Sequence, residues 1–256
     1  MKKILLLNFI AASAMLSVTL SGCAAHKGTA GGSSAPAADN TLTASEQKAG
    51  WKLLFNGTDL KGWHSWKRDT VAANWMVKDG QIQYDLSNDR KGEDLLTDGS
   101  YTNYELQIQW RITPGGNSGI IFDIQEDAKH GATYQTGAEM QVLDNVAASD
   151  NKKANHLAGC LYDMIGDATV SHPVTPGEWN QVKIIQNKGQ LTFWLNGTKT
   201  VDVKIGSPEW DAAMAQSKFK SRGFEDFMKI QGGKIAIQKH PGASGWKNMK
   251  IREIKD

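Results

Sequence analysis

The sequence predicts an all-β fold, a jelly-roll sandwich of two antiparallel sheets with one short helical insertion. Two observations carry this prediction. Short segments that alternate apolar and polar residues recur at intervals of about 8–12 residues, as in sandwiches and jelly rolls. Asx-Gly dipeptides separate several of these segments, and only one stretch carries the signals that start a helix.

The first 22 residues predict a secretory signal peptide. Lys2 and Lys3 precede an apolar run that ends at Leu20-Ser21-Gly22-Cys23. This ending resembles the lipobox of bacterial lipoproteins, in which the cysteine is lipidated, and the alternative is an ordinary signal with a chance cysteine. We therefore expect Cys23 to be the lipidation site, residues 23–49 to be a flexible Gly/Ala/Ser-rich tether, and residues 50–256 to form the folded domain.

Turn signals and alternation place the elements of that domain. Asn56-Gly57 predicts a turn with a return strand, and Asp79-Gly80 and Asn196-Gly197 predict hairpins. A helix is predicted over roughly Pro208 to Lys218, because Ser207-Pro208-Glu209 supplies an N-cap, a first-position proline and an early acid. The clearest strand spans 104–112, where one face carries Tyr104, Leu106, Ile108, Trp110 and Ile112.

Composition excludes several classes of function. Lysine and arginine number 29 against 27 acids, and without Lys2 and Lys3 the mature chain is formally neutral, so we expect no nucleic-acid partner. Only Cys160 accompanies Cys23, which rules out an intrachain disulfide and makes Cys160 a small buried residue. No other run approaches the ~20 apolar residues of a membrane span. The expected location is the bacterial cell envelope, periplasm-facing, with membrane contact through the lipid anchor only.

The stretch from Gly115 to Asp163 combines strand patterning with unexpected polar residues. On the predicted strand around GAEMQVLD, Glu139 and Gln141 share one face, and Met140 and Val142 share the other. A carboxylate and an amide two residues apart on a sheet face are the beginning of a polar site on a rigid element.

Six motifs, in order along about residues 50–256, resemble the 3-keto-disaccharide hydrolase family. They are Leu54-Phe55-Asn56-Gly57 with Gly62-Trp63, Gly116-Asn117-Ser118-Gly119, Glu139-Met140-Gln141-Val142-Leu143-Asp144, Gly177-Glu178-Trp179-Asn180, Leu195-Asn196-Gly197 and Ile237-Gln238-Lys239-His240. The resemblance implies a concanavalin A-like jelly roll. It also implies lyase or hydratase action on 3-keto-glycosides, which a separate sugar 3-dehydrogenase would supply, without a nucleotide cofactor.

For the site, the resemblance and the residue types together suggest roles. The candidate catalytic residues are Glu139, His240 and Tyr162. The alternative for Glu139 is a structural carboxylate paired with a basic neighbour, and the alternative for His240 is a histidine in a surface turn. The candidate substrate-binding residues are Asn117, Ser118, Gln141, His156, Trp63 and Trp66. Trp63 and Trp66 are the expected exposed aromatics in a sequence whose other tryptophans are expected mainly in the core.

A divalent metal ion is a further expectation. Glu139, Asp144 and His240 would supply the carboxylate and imidazole ligands that such an ion accepts, although capping of a turn is the favoured role for Asp144. Glycines around Asn117 and Ser118 would let the backbone approach a ligand closely, but both side chains also suit turn capping.

The sequence departs from the family pattern at two positions. Asp123 stands where many relatives carry Arg, and Lys239 stands where the family usually has Asp. A reversed charge at Asp123 would indicate a different substrate group or a metal, unless the residue lies on the outer face. Two other functions stay open: a non-catalytic carbohydrate-binding lectin, and a conventional glucanase with two carboxylates astride a groove.

Overall fold

The computed structural model describes residues 38–84, 92–240 and 242–255. The predicted signal peptide, Cys23 and most of the predicted tether lie outside these residues. Within them the strands are β1 Lys52–Leu53, β2 Trp63–Ser65, β3 Trp75–Lys78, β4 Gln81–Tyr84, β5 Leu95–Thr97, β6 Tyr104–Ile112, β7 Asn117–Ile124, β8 Ala138–Leu143, β9 Asn180–Asn187, β10 Gln190–Leu195, β11 Thr198–Lys204, β12 Lys234–Ile237 and β13 Ser244–Glu253, and the helices are α1 Ala44–Lys48, α2 Pro208–Gln216 and α3 Lys218–Ser221.

These strands form two antiparallel sheets. The eight-stranded sheet has the order β11-β10-β9-β6-β13-β4-β3, with β1 beside β13, and the five-stranded sheet has the order β2-β5-β12-β7-β8. Neighbours in the sheets are often distant in sequence, as in β6–β13 and β7–β12, which is the connectivity expected when strands alternate between two layers. The predicted all-β sandwich with a short helical insertion is confirmed.

The main core lies between the two sheets. Strand β6 alternates buried and half-buried residues along its whole length, as the period-2 pattern predicts. Its Tyr104 and Trp110 are fully buried, as is Trp246 of the neighbouring strand β13. Burial of such large rings stabilises the packing of the two sheets against each other.

The turn signals predict local pairing well in two of three places. Strands β3 and β4 pair across Asp79-Gly80, and β10 and β11 pair across Asn196-Gly197. In both turns each residue has a positive φ, the geometry that favours Asn, Asp and Gly there. The return strand predicted after Asn56-Gly57 is wrong, because β1 pairs with β13 while β2 pairs with β5 in the other sheet.

The predicted helix is present and ends slightly early. The hydroxyl of Ser207 accepts a hydrogen bond from the Trp210 backbone N–H at 3.2 Å, and Pro208 occupies the first turn of α2. Ser217 then ends α2 and caps α3. This break turns Lys218 and its helix toward the five-stranded sheet, where they contribute to the site described below.

Residues 38–49 differ from the expected flexible tether. Thr43 and Glu46 form a reciprocal capping box at the start of α1. Asn40 is 7% exposed, and its backbone N–H donates to the Asn248 side chain. The ordered domain therefore begins before residue 50. None of the helices in the described ranges is long and apolar enough to cross a membrane.

Candidate active site

Strand β8 presents its polar residues away from the main core, as predicted. Met140 and Val142 belong to the core between the sheets, whereas Glu139 and Gln141 point to the other face of the five-stranded sheet. A second, smaller apolar cluster lies on that face and includes Trp66 and Ile121. It gives the site a rigid floor.

A pocket of about 400 Å³ opens above this floor. Strands contribute the floor, and loops and the short helix α3 contribute the walls. Its polar lining combines acids, cations and amides: Glu93, Asp94, Asn117, Thr133, Tyr134, Glu139, Gln141, Tyr162, Lys218, Arg222, Gln238, Lys239 and His240, beside the Trp66 ring. This mixture is what a site that binds a polar molecule and moves protons requires.

Glu139 lies on the floor of the pocket with only 5% of its surface exposed. Its side chain lies across Gly119 of β7, where an added Cβ would approach Oε1 to 2.1 Å. Burial raises the pKa of Glu139, while the ammonium of Lys218 opposes that rise and the carboxylates of Asp94 and Asp150 add to it. The carboxyl is thus poised to exchange a proton at a pH well above its usual range.

The ammonium of Lys218 exerts the strongest attraction on a charge at the Glu139 carboxyl. It is the first residue of α3, and its Nζ lies 3.9 Å from the centroid of the Tyr162 ring. Burial lowers the pKa of Lys218, and the charge of Glu139 opposes that change. The pair therefore places one negative and one positive group in a partly desolvated space, where each acts strongly on a charge that develops between them.

Asp94 is a second acid in the pocket, which sequence reasoning missed. Burial raises the pKa of Asp94 to about 6, against the effect of two hydrogen bonds. One oxygen accepts from the Thr133 hydroxyl and the other accepts from the Lys239 backbone N–H at 2.8 Å. Both oxygens are thus engaged in joining the loops that form the wall.

Of the other predicted residues, Gln141, Asn117, His240, Tyr162 and Trp66 reach the same pocket. The Asn117 amide nitrogen lies 3.3 Å from His240 Nε2, which joins β7 to the loop after β12. The Tyr162 hydroxyl donates to Asp150 at 2.8 Å. Residues from five separate parts of the sequence therefore converge on one pocket.

Three predicted substrate-binding residues lie elsewhere. Trp63, expected to be exposed, is buried in the main core, and its indole N–H donates to the Leu54 carbonyl at 2.6 Å. The Ser118 hydroxyl donates to the Gln238 carbonyl at 2.8 Å, so it joins two strands. His156 lies behind Tyr162, with ring centroids 4.6 Å apart, and does not line the pocket. Strand alternation explains the first two, because both side chains face inward.

Of the three residues proposed as metal ligands, Glu139 and His240 line the pocket, whereas Asp144 does not. Both carboxylate oxygens of Asp144 accept backbone N–H groups, one from Gly115 at 2.8 Å and one from Val146 at 2.9 Å. This is the turn-capping role that its sequence context favoured. Among residues 38–84, 92–240 and 242–255, no three His, Cys, Asp or Glu side chains form a group suited to a metal ion. The donor set of Glu139, Asp144 and His240 thus does not fit a divalent ion.

The two departures from the family pattern have different positions. Asp123 lies between the sheets, where it accepts hydrogen bonds from the Gln186 amide and the Gly232 N–H, both at 3.0 Å. It does not line the pocket, so its charge has no contact with a substrate there. Lys239 does line the pocket, and its backbone holds Asp94. Cys160 is buried, as expected.

Sequence reasoning also missed Lys218, Arg222 and Gln238. Gln238 was available from the Ile237-Gln238-Lys239-His240 motif, and its amide lies 3.4 Å from Glu139 Oε2. Lys218 and Arg222 carry no comparable signal, because they follow a helix that looks like a peripheral insertion. Only the folded chain shows that this insertion closes the pocket.

Comparison with known proteins bears on this site. A family model described as the 3-keto-alpha-glucoside-1,2-lyase-like domain matches residues 50–252. The chain belongs to this family. The match covers every pocket residue and all of the described strands except Glu253, the last residue of β13, so the resemblance predicted from six motifs is confirmed.

Relatives of the 3-keto-alpha-glucoside-1,2-lyase-like family agree with this assignment. A 3-keto-disaccharide hydrolase from Bacteroides thetaiotaomicron is 29% identical over 229 residues, which cover 80% of this chain and 79% of that protein. A crystal structure from Parabacteroides distasonis, described as a glycosyl hydrolase, is 30% identical with a TM-score of 0.75 and covers 85% of this chain and 100% of its own. A second glycosyl hydrolase structure from the same organism is 25% identical with a TM-score of 0.59, over 80% of this chain and 99% of its own.

Proposed function

We propose that the domain cleaves glycosides whose sugar carries a ketone at carbon 3, by elimination and hydration next to the ketone. The observation that carries this proposal is the buried carboxyl of Glu139, which shares one pocket with the ammonium of Lys218. Family membership and the hydrolase relative support an enzyme of the carbohydrate hydrolase type. The name of that relative supports a 3-keto-disaccharide as the substrate class.

In the elimination step, Glu139 acts as a general base. The ketone at carbon 3 acidifies the hydrogen on carbon 2, and the ionised carboxylate removes it as a proton. The electron pair forms an enolate, the ketone re-forms with a double bond between carbons 1 and 2, and the glycosidic oxygen leaves carbon 1. That oxygen takes a proton, so the products are an alcohol and a 3-keto-2-hydroxyglucal.

In the hydration step, water adds across the new double bond. Its hydroxyl goes to carbon 1 and a proton returns to carbon 2 from the same Glu139, now in its acid form. The sum of the two steps is hydrolysis of the glycosidic bond, with no net change at carbon 2. One residue that alternates between base and acid suffices for both steps, and the raised pKa of Glu139 suits this alternation.

The charges in the pocket fit this chemistry. An enolate carries negative charge on the oxygen at carbon 3, and the ammonium of Lys218 is available to stabilise it. We assign protonation of the leaving oxygen to His240, because the proton of the Tyr162 hydroxyl is already donated to Asp150. The ring of Trp66 and the amides of Gln141 and Asn117 supply the apolar face and hydrogen bonds that a sugar ring takes.

The clustering also favours an enzyme over a lectin. A lectin would need a flat aromatic strip with Glu139, Gln141 and His240 scattered, whereas all three line one pocket. Asp94 does provide a second acid, as a glucanase would require, but both of its oxygens hold backbone or hydroxyl donors of the wall. A carboxylate engaged in this way is poorly placed to attack a sugar or activate water.

The test compares an oxidised and a non-oxidised substrate. Purified protein is incubated with a 3-keto-disaccharide and with its parent disaccharide, and products are separated by chromatography. Cleavage of the 3-keto compound alone supports the proposal, and Glu139→Gln should then abolish turnover. Equal cleavage of both compounds would overturn it. A parallel incubation with chelator tests whether a divalent metal ion is required. Loss of the cleavage rate on chelation, and its recovery when a divalent ion is added, would support a metal.

We further propose that the domain acts at the cell envelope, anchored through a lipid on Cys23 and facing the periplasm. The basic start, apolar run and Leu20-Ser21-Gly22-Cys23 ending support this. A separate sugar 3-dehydrogenase would then supply the ketone. Incorporation of a labelled fatty acid that is lost in Cys23→Ser would bear out the anchor, and equal labelling of both proteins would contradict it.

A further inference from the structure

His156 lies outside the pocket, between two carboxylates. Its Nδ1 is 2.7 Å from Asp150 Oδ1, and its Nε2 is 2.8 Å from Asp163 Oδ1. The imidazole and Asp163 are 9% and 7% exposed. A buried histidine normally needs one donor and one acceptor partner, but this one faces two acceptors.

Each of the two carboxylates has a second partner in the pocket wall. The other oxygen of Asp150 accepts the Tyr162 hydroxyl at 2.8 Å. The other oxygen of Asp163 accepts the Lys218 backbone N–H at 2.5 Å. Because the Lys218 ammonium also rests on the Tyr162 ring at 3.9 Å, a closed ring of contacts links His156 to both pocket residues.

The two contacts of the imidazole limit how it can hydrogen-bond. A neutral imidazole has one N–H, so one of its nitrogens would direct a lone pair at a carboxylate oxygen less than 3 Å away. An imidazolium can donate to both oxygens, and each bond is then charge-assisted. The position between Asp150 and Asp163 therefore suits an imidazolium.

We propose that His156 is a positioning residue for the active site: held as an imidazolium between Asp150 and Asp163, it fixes the side chain of Tyr162 and the first residue of α3, Lys218, in the pocket that holds Glu139. The role of these two side chains in turnover rests on the function proposed above, whereas the ring of contacts is independent of that function.

An electrostatic consequence makes this positioning measurable. Lys218 attracts a charge on Glu139, whereas Asp94 and Asp150 repel it. The remaining titratable or charged groups in the pocket lining are Glu93, Tyr134, Tyr162, Arg222, Lys239 and His240, and Lys153 lies 3.7 Å from Asp163. With the imidazolium in place the charge of Asp150 is largely neutralised, and without it that charge acts on Glu139 in full.

Two substitutions should therefore move the pKa of Glu139 in opposite directions. His156→Gln removes the compensating positive charge and should raise it. Asp150→Asn removes the repelling negative charge and should lower it. A single charge change near a partly buried group shifts a pKa by about one unit, and a purely structural role for His156 predicts no such opposed pair.

His64 provides a matched control. Its ring nitrogens lie 2.6 Å from Asp98 and 2.8 Å from Glu126, so it has the same bracketed geometry. It lies on the edge strand β2 and contacts neither Tyr162 nor Lys218. His64→Gln thus removes an imidazole held between two carboxylates in the same way, and we expect it to leave the Glu139 titration unchanged.

The experiment is a carbon NMR titration of the full protein labelled at the glutamate side-chain carboxyls, with the Glu139 signal assigned by its loss in Glu139→Gln. Wild type, His156→Gln, Asp150→Asn and His64→Gln are compared after a thermal melt shows that each is folded. Opposite shifts of about one unit in the first two variants, with none in the control, support the proposal. An unmoved Glu139 midpoint in either folded variant would overturn it.

Kinetics separate this inference from the proposed function. With a 3-keto-disaccharide, the acidic limb of the pH profile of kcat/KM should move to higher pH in His156→Gln and to lower pH in Asp150→Asn, because the base must be ionised. If the NMR shifts are opposed but wild type does not turn over the 3-keto substrate, the positioning role is supported and the proposed function is rejected. If wild type turns over the substrate but the Glu139 titration does not move in the variants, the function is supported and the positioning role is rejected.

Discussion

Gly119 offers a way to displace the proposed base without removing it. The glycine lies beneath the Glu139 side chain, and a Cβ built on it would lie 2.1 Å from Oε1, 2.6 Å from Cδ and 2.8 Å from Cγ. Its backbone is not in the left-handed region, so Gly119→Ala adds a methyl group without backbone strain. The carboxyl must then move by about 1 Å to reach an ordinary contact distance.

The expected loss follows from that displacement. A misplacement of about 1 Å at a reacting group costs about 100-fold in rate, so kcat/KM for a 3-keto-disaccharide should fall by about that factor in Gly119→Ala. The accompanying overpacking should lower the free energy of unfolding by about 1–3 kcal/mol. The measurements are steady-state kinetics and a thermal melt on the same preparation.

Gly99→Ala is the matched control. Gly99 is exposed, and the nearest atoms to its added Cβ belong to the end of the Tyr101 side chain, with the hydroxyl oxygen at 2.9 Å and Cζ at 3.3 Å, and this side chain can rotate aside. We expect its rate within about twofold and its stability within about 0.5 kcal/mol of wild type. A folded Gly119→Ala protein with kcat/KM close to that of Gly99→Ala would refute the placement of Glu139 as the reacting group.

Three further predictions concern charge and capping. Burial raises the pKa of Asp123 to about 7. The folded state therefore holds this proton more tightly than the unfolded state does, and stability falls as pH rises from about 4 to about 7. Between pH 4 and pH 8 the free energy of unfolding of Asp123→Asn should rise by up to about 4 kcal/mol relative to that of wild type, and an equal difference between the two proteins at both pH values would contradict this. Lys218→Met should lower kcat by about 100-fold and move the acidic limb to higher pH, since Glu139 loses its attracting charge; an unchanged pH profile would count against the pairing. Ser207→Ala should cost about 1 kcal/mol in a melt, because the Trp210 N–H loses its cap, with no effect on kcat.

Local patterns predicted most of the fold. Alternation along 104–112 and the turns at Asp79-Gly80 and Asn196-Gly197 depend on residues close in sequence, and these predictions were confirmed. The failed return strand after Asn56-Gly57 has a long-range cause, since the partner of β1 is β13 near the other end of the chain. A turn signal specifies a reversal of the chain but not which sheet the next strand joins.

The site was predictable in part for the same reason. Period-2 alternation placed Glu139 and Gln141 on one face, and motif order brought in Asn117 and His240. The walls were not predictable, because Lys218 enters through a break between two short helices. Trp63 was misplaced because an indole in a turn-rich segment gives no sign of which way it faces.

The glycines around Asn117 illustrate a subtler difference. They were expected to let the backbone approach a ligand, but at Gly119 the space is filled by the Glu139 side chain of the neighbouring strand. The glycine does allow another group to approach the backbone closely, as inferred, but that group is the Glu139 carboxyl of the protein itself and not a ligand. Only tertiary contact could identify it.

The most direct test of the central claim is deuterium incorporation at carbon 2. A 3-keto-disaccharide is cleaved in D₂O, and the released 3-keto sugar is examined by proton NMR. Glu139 abstracts the carbon 2 hydrogen, its carboxyl proton exchanges with D₂O, and the acid form then delivers deuterium to carbon 2. This sequence predicts loss of the carbon 2 proton signal at the rate of cleavage, with no exchange above background in Glu139→Gln. Cleavage that leaves carbon 2 fully protonated would contradict elimination next to the ketone.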